Sequence, residues 1–537
     1  MTSRIAPAAA SVCLAAALLA GGCAQPPAKP AAPAPPAWKI DEATLADLQQ
    51  RLASGQSTAR SLAEAYLARI GELDRKGPML GTVIELNPEA LATADQLDGE
   101  RRAGKVRGPL HGIPVLIKDN IAAVGPMMTT AGSLALQGPP APKDAFIVTR
   151  LRGAGAVILG KTNLSEWANF RSTRSTSGWS GRGGQTRNPY ALDRNPSGSS
   201  SGSAVAVSAN LCAIAVGTET DGSVVSPASI NGIVGIKPTL GLVSRTGIIP
   251  IAHSQDTAGP MARTVTDAAL LLAALAGEDP ADGATKAGSR VAVDYVRGLK
   301  ADGLKGARIG VVRQKLVNNP GVVAVFDAAV ADLKRLGAVI VDPVEIPHLE
   351  EYGESEGEVL HYEFKADLDA YLAGLGPDAP VHTLADVIAF NDRERARSMP
   401  FFGQEILIKA QAKGPLTEAK YLAALAKDRR LAGPEGIDAV LKKHQLDALV
   451  SPTDTVAWLT DLVHGDPVYP SISSVAAVAG YPHVTVPAGF VFGLPLGVSF
   501  IGPAWSEGRL ITFAYAYEQG TKRRQPPAYL PTVRLEK

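Results

Sequence analysis

This sequence predicts an α/β fold in which helices cover a large mixed central β-sheet. Three observations carry that expectation. Short β-branched runs alternate with helical stretches along most of the chain. Alanine, glycine and valine are abundant while aromatic residues make up only 5%, a balance suited to closely stacked layers. No internal repeat and no second linker interrupts the body, so the 537 residues read as one large domain over 39–537 preceded by a short leader.

Taken in order, residues 41–55 (DEATLADLQQRLASG) and 57–74 (STARSLAEAYLARIGELD) place apolar residues three and four apart. That spacing predicts two amphipathic helices, with Asp41 and Ser57 as caps. The strands that follow are expected in GTVIEL, GIPVLIKDN, GAVILGKTN, CAIAVGTET, GIVGIKP, ARIGVVR, AVIVDPVEIP, DALVSPT and HVTVPAGF. Between the seventh and eighth of these, residues 345–445 are charged and helical, which predicts a lid or peripheral layer, with solvated helix faces the preferred reading.

With 46% hydrophobic residues there is material for a sizeable core, and a formal charge of +1 removes any electrostatic case for nucleic acid or an acidic membrane surface. The expected partner is therefore small and not polyanionic.

The leader MTSRIAPAAASVCLAAALLAGGC has Arg4 near its start, then an uncharged Ala/Leu-rich stretch and a run of small residues, the layout of a secretory signal over 1–22. Its end, LLAGGC, resembles the lipobox of bacterial lipoproteins and implies lipid attachment at Cys23, although Ala20 stands where such boxes usually carry leucine. An uncleaved membrane anchor is the other reading of this stretch. Residues 23–38 are rich in proline and alanine, as in an extended tether. With Cys13 in the signal and Cys23 acylated, Cys212 is left single and no disulfide forms within one mature chain. The implied place is the periplasm, with the membrane touched only through that lipid.

Residues 195–207, NPSGSSSGSAVAV, raise the question of chemistry. Composition suggests a flexible linker, and Gly198, Ser200 and Gly202 match the G-x-S-x-G nucleophile elbow. An elbow needs a buried strand directly before it, and the preceding SGRGGQTRNPYALDRNP cannot form one. Downstream, TETDGSVVSPA sets a serine behind Thr220, Asp221 and Gly222, where a glycine turn can aim backbone N–H groups at a developing oxyanion. Upstream, Lys118 ends an apolar strand-like run, and burial there would favour its neutral, basic form.

These stretches, GPLHGIPVLIKDN, GKTNLSEWAN, GGQTRNP, PSGSSSGS, GTETDGSVVSPA, NGIVGIKPTLGLVSRTGIIP and SQDTAGPMART, resemble in order and spacing the amidase signature family, over roughly residues 40–525. Within that family, STRSTSGWSGRGGQTRNP and TETDGS look like bacterial peptide amidases, which remove the C-terminal amide of peptides. The resemblance implies an amidase-signature α/β/α sandwich and an amide hydrolase using neither metal nor cofactor. It implies Ser223 as nucleophile, Ser199 as bridge after a cis peptide bond, and Lys118 as base, with the N–H groups of Thr220, Asp221, Gly222 and Ser223 holding the oxyanion. Where many relatives read D-x-G-G-S-I-R, this chain has Glu219, Asp221 and Val225. Val225 cannot clasp a carboxylate, which disfavours free amino-acid amides with an acid group and leaves peptide, aryl, fatty and other neutral amides open. Asp221 either meets a substrate N–H or caps a turn. The competing readings are an esterase using Ser200 and a non-catalytic binding lipoprotein. Cys23→Ser is expected to abolish incorporation of labelled palmitate and retention in the membrane fraction.

Overall fold

The computed structural model describes residues 40–288 and 294–535. The signal expected over 1–22, the lipid-attachment site expected at Cys23 and the tether expected over 23–38 lie outside the described residues. Among the described residues no helix is long and apolar enough to cross a membrane.

The main sheet has eleven strands. In chain order these are β1 (Val83–Leu86), β2 (Pro114–Lys118) and β3 (Val157–Thr162), then, after a small two-stranded ribbon of β4 (Trp179–Ser180) and β5 (Gly184–Gln185), β6 (Ile214–Glu219), β7 (Val234–Lys237) and β8 (Thr257–Ala262). The second half adds β9 (Arg308–Val312), β10 (Val339–Val344), β11 (Ala448–Pro452), β12 (His483–Val491) and β13 (Leu494–Ile501). Their order across the sheet is β1-β3-β2-β6-β8-β7-β12-β13-β11-β9-β10. β2 runs parallel to both β3 and β6, β9 runs parallel to β10 and β11, and the remaining pairs are antiparallel. The sheet is therefore mixed, as the alternation of patterns predicts.

All nine expected strands form, and two more join them. β8 reads TAGPMA, which Gly259 and Pro260 disguise as a turn. A Cβ at Gly259 would lie 2.2 Å from the Ile236 carbonyl oxygen, and the ladder to β7 uses only Met261 and Ala262, so Pro260 owes that neighbour no N–H. β13 is buried along its whole length, so it shows no alternation.

The first two helices, Leu45–Ser54 and Ala59–Arg69, form where expected, but their caps are Thr44 and Thr58, not Asp41 and Ser57. Each threonine accepts from the N–H three residues on, and Asp47 and Ser61 return the bond to the cap's own N–H. Asp41 instead pairs with Arg69 at 2.7 Å, and Ser57 lies buried just before its helix.

Helices Ser201–Ser208 and Val265–Leu275 press on the sheet around β6 and β8, and Glu507–Thr521 packs on β12 and β13. Every residue of Ser201–Ser208 is buried, as expected from its unbroken run of small and apolar side chains. The 345–445 region carries exposed helix faces as expected, with two buried charges as exceptions. Its long helix Gly353–Ala373 buries Glu356 and Glu363 together with Phe364, Leu368 and Leu372. Gln255 donates to Glu356 at 3.0 Å and the Ser254 N–H donates to Glu363 at 2.9 Å, so these carboxylates are bonding partners of the body and not part of a solvated face. Sequence pattern could not reveal this, because it counts charges without showing which of them meet a donor.

The segment after β3 is fastened to the same region by Arg171. Its guanidinium is fully buried, pairs with Glu166, donates to the carbonyls of Ser398 (2.8 Å) and Phe402 (3.3 Å), and lies 4.2 Å over the Phe402 ring. Arg171→Met would strand the Glu166 carboxylate in a dry site. A loss of about 3–5 kcal/mol in urea unfolding is expected, largely recovered by adding Glu166→Gln.

Candidate active site

β2 and β6 are adjacent and parallel, so their C-terminal ends emerge at one edge of the sheet. Lys118 is the last residue of β2, and Thr218 and Glu219 are the last two of β6. The same edge receives the start of helix Ser201–Ser208 and the turn before helix Val225–Ile230.

Lys118 is fully buried. Its Nζ lies 2.7 Å from Ser199 Oγ, 3.0 Å from Ser200 Oγ, 2.9 Å from Thr218 Oγ1 and 3.2 Å from the Thr218 carbonyl oxygen. Burial lowers its pKa to about 7, against the opposing pull of the Glu219 and Asp256 carboxylates. A neutral amine in hydrogen-bond reach of a hydroxyl can take its proton. Asn120 holds the arrangement from behind, donating to Thr218 Oγ1 at 2.9 Å.

The Gly198–Ser199 peptide bond is cis, as the resemblance implies. A Cβ at Gly198 would lie 2.2 Å from Ser165 Oγ, and one at Gly202 would lie 2.4 Å from the Thr82 carbonyl oxygen. The glycines thus let the serine segment press against neighbouring side chains at Gly198 and neighbouring backbone at Gly202, which a flexible linker would not do. Ser200, the centre of the elbow pattern, is fully buried. Its hydroxyl donates to the Thr218 carbonyl at 3.0 Å and accepts from the Thr218 N–H at 3.2 Å, so its proton is already committed.

The two serine segments touch through their backbones, the Ser200 N–H donating to the Ser223 carbonyl at 3.1 Å. Gly222 takes φ of 75°, the left-handed conformation its turn requires. Glu219 holds the turn from below by accepting the N–H groups of Val224 (2.6 Å) and Val225 (3.0 Å). The N–H groups of Thr220, Asp221, Gly222 and Ser223 find no acceptor among the described residues. Four successive free donors ahead of a helix can hold an oxyanion. Ser223 is 7% exposed, and its hydroxyl also makes no hydrogen bond among the described residues. The structure therefore brings Lys118 to Ser199 but leaves the step from Ser199 to Ser223 open.

Asp221 neither caps its own turn nor stands free. Its two carboxylate oxygens accept the hydroxyls of Ser473 and Ser474, each at 2.6 Å, and burial raises its pKa. Beside it a cleft of about 680 Å³ opens, walled by Gly198, Gly222, Ser226, Asp454 and Trp458. A second cavity, of about 480 Å³, reaches Asn120, Thr218 and Thr220. Its wall includes His253, which with Glu363 and Asp367 forms a cluster of metal-ligand type apart from the serines, its members already bonded to one another.

Pattern reading did not find Asn120, Thr218, Ser226 or Asp454. Polar residues at strand ends and in loops carry no periodic signal, and only their convergence marks them.

A family profile described as Amidase spans residues 61–511. The chain belongs to the amidase signature family. It is 43% identical over 503 residues to a probable amidase of Arabidopsis thaliana, covering 92% of this chain and 93% of that protein. Among solved structures, native peptide amidase from Stenotrophomonas maltophilia is 56% identical, with a TM-score of 0.88 over 91% of this chain and 99% of the other. An amidase family protein from Bacillus anthracis is 38% identical, with a TM-score of 0.84 over 91% of this chain and 93% of the other. This member of the family is an amide hydrolase built on the amidase-signature sandwich.

A lysine serving as base must be neutral, so with Lys118 in that role kcat/KM for amide hydrolysis should rise with pH through about 7 and fall away below it. The nearby Glu219 carboxylate favours the protonated form, so Glu219→Gln should move that inflection to lower pH. A pH–rate profile of both proteins checks the sign.

Proposed function

We propose that this amidase removes the C-terminal amide of peptides through a Ser-Ser-Lys triad and an acyl-enzyme. Ser223 attacks the carboxamide carbonyl, its proton passing by Ser199 to the neutral Lys118 amine. Rotation of the Ser223 hydroxyl toward Ser199 closes the relay. The N–H groups of Thr220, Asp221, Gly222 and Ser223 receive the oxyanion. As the intermediate collapses, the Lys118 ammonium returns its proton through Ser199 to the leaving nitrogen, and ammonia departs. Water then attacks the acyl-enzyme with the same relay as general base, releasing a free carboxylate.

The observation that carries this reading is the 2.7 Å contact between Ser199 and a fully buried Lys118 whose pKa is lowered to about 7. The peptide specificity is supported by the open cleft beside Ser223's turn, by Val225 where an arginine would bind a substrate acid, and by the 56% identity to the Stenotrophomonas peptide amidase. Aryl and fatty amides are the competing substrates. Export and lipid anchoring at Cys23 belong to the same proposal, on the strength of the leader's pattern alone.

The test is ammonia release from a panel of peptide, aryl and fatty amides, with fluorophosphonate labelling read by mass spectrometry. Ser223→Ala should lower kcat more than about a thousandfold and abolish labelling. Ser199→Ala and Lys118→Met should each lose about 10²–10⁴-fold in kcat while still binding substrate. Full activity in Ser223→Ala, or a label on Ser200, would sink the triad. Faster turnover of aryl amides than of every peptide amide would sink the substrate class.

A further inference from the structure

The cleft beside the serines has an unusual wall. Three partly exposed aspartates face it, Asp221, Asp454 and Asp466, and the one cation among its lining residues, Lys315, is paired with Glu350. Each aspartate keeps spare acceptor capacity. Asp454 takes only the Ser226 hydroxyl and, at 2.7 Å, the Thr455 N–H. Asp466 accepts from the Ser177 N–H at 2.8 Å, the Trp458 indole at 3.0 Å and Asn195 at 3.1 Å. Burial, with repulsion from Asp221, lifts Asp454 to about 6, so it is largely ionised at pH 8.

The same cleft has an apolar lip. Residues 453–472 join β11 to helix Ser473–Ala479 with no regular secondary structure. The base of this loop is fixed, since the Asn195 N–H donates to the Trp458 carbonyl at 2.7 Å and the Asp466 N–H to the Ser175 carbonyl at 3.1 Å. Its tip presents Val468, 99% exposed, and Tyr469, 40% exposed, whose ring lies 6.0 Å from that of Trp458. An apolar tip beside an acidic floor matches a ligand that is greasy along its stem and positive at its end.

We propose that this cleft selects peptide amides carrying a basic side chain at the C-terminal residue, the stem of that side chain lying against Trp458, Val468 and Tyr469 and its cation meeting Asp454. The inference rests on the peptide-amide reading and deepens it. An acidic side chain in the same position would meet the like charge of Asp454 in a confined space and is rejected. A neutral apolar side chain gains the lip without the floor and falls between the two.

The experiment measures ammonia release at pH 8 from N-acetyl-alanyl amides ending in lysine, leucine or glutamate. The expected order of kcat/KM is lysine, leucine, glutamate, with at least a tenfold span. Asp454→Asn should contract the lysine-to-glutamate ratio at least threefold, and Val468→Ser should raise KM for the leucine amide. Lysine and glutamate amides turned over within twofold of each other by the parent protein would overturn charge selection, while leaving peptide amides as substrates. A ratio unmoved in folded Asp454→Asn would overturn the role of that residue. Should that variant not fold, the three substrates on the parent protein still decide the matter. No turnover of any of the three would overturn the peptide-amide reading and this inference with it.

Discussion

A lysine amine kept in a dry pocket is the constraint around which this protein is arranged. A primary amine in water is protonated at neutral pH, so it becomes largely neutral only where burial disfavours its charge. Lys118 meets that condition because β2 lies inside the sheet, flanked by parallel β3 and β6, and because the last residue of β2 emerges beneath two serine segments. Its polar contacts among the described residues are hydroxyls and a carbonyl and include no carboxylate, so the amine is hydrogen-bonded without being fixed as a cation.

The rest of the edge serves that pocket. Small residues bring the chain close, as at Gly198 and Gly202, where any side chain would strike neighbouring atoms. Ser200 and Thr218 bond each other and Lys118, which makes Ser200 part of the support and removes the proton donor that an elbow nucleophile would need. The turn bearing Ser223 is fastened from two sides: Glu219 accepts the N–H groups just beyond it, and Asp221 is anchored to Ser473 and Ser474. Residues more than 200 positions apart in the chain thereby hold one turn whose N–H groups are unpaired among the described residues.

Much of the architecture was legible. Nine of the eleven strands of the main sheet could be read from β-branched runs, because a buried strand advertises itself by composition. β8 and β13 were hidden, the first by Gly259 and Pro260 and the second by a run buried on both faces. Thr44 and Thr58 replaced Asp41 and Ser57 as caps because a capping box is set by which side chain meets the third N–H, a matter of one to three residues. In the region of Gly353–Ala373 the pattern of charge suggested solvation, yet Glu356 and Glu363 are buried against donors that lie about a hundred positions earlier.

The site divides in the same way. Sequence by itself determined the fold class, the family, and the turn at Gly222, since each depends on local order or on long motifs. It also indicated a strand-end lysine drawn toward the interior. That description fits three residues nearly equally, because Lys237 ends a buried strand, Lys161 lies one residue from the end of another, and burial lowers both to about 8. Only the tertiary structure separates them. Lys161 reaches the Ile121 carbonyl and Thr129, Lys237 reaches the Pro238 carbonyl, and Lys118 alone of the three meets Ser199 and Ser200. The physical reason is that burial is written into composition, whereas the partner a buried amine finds depends on which strands lie side by side, and that is decided by the packing of the whole sheet.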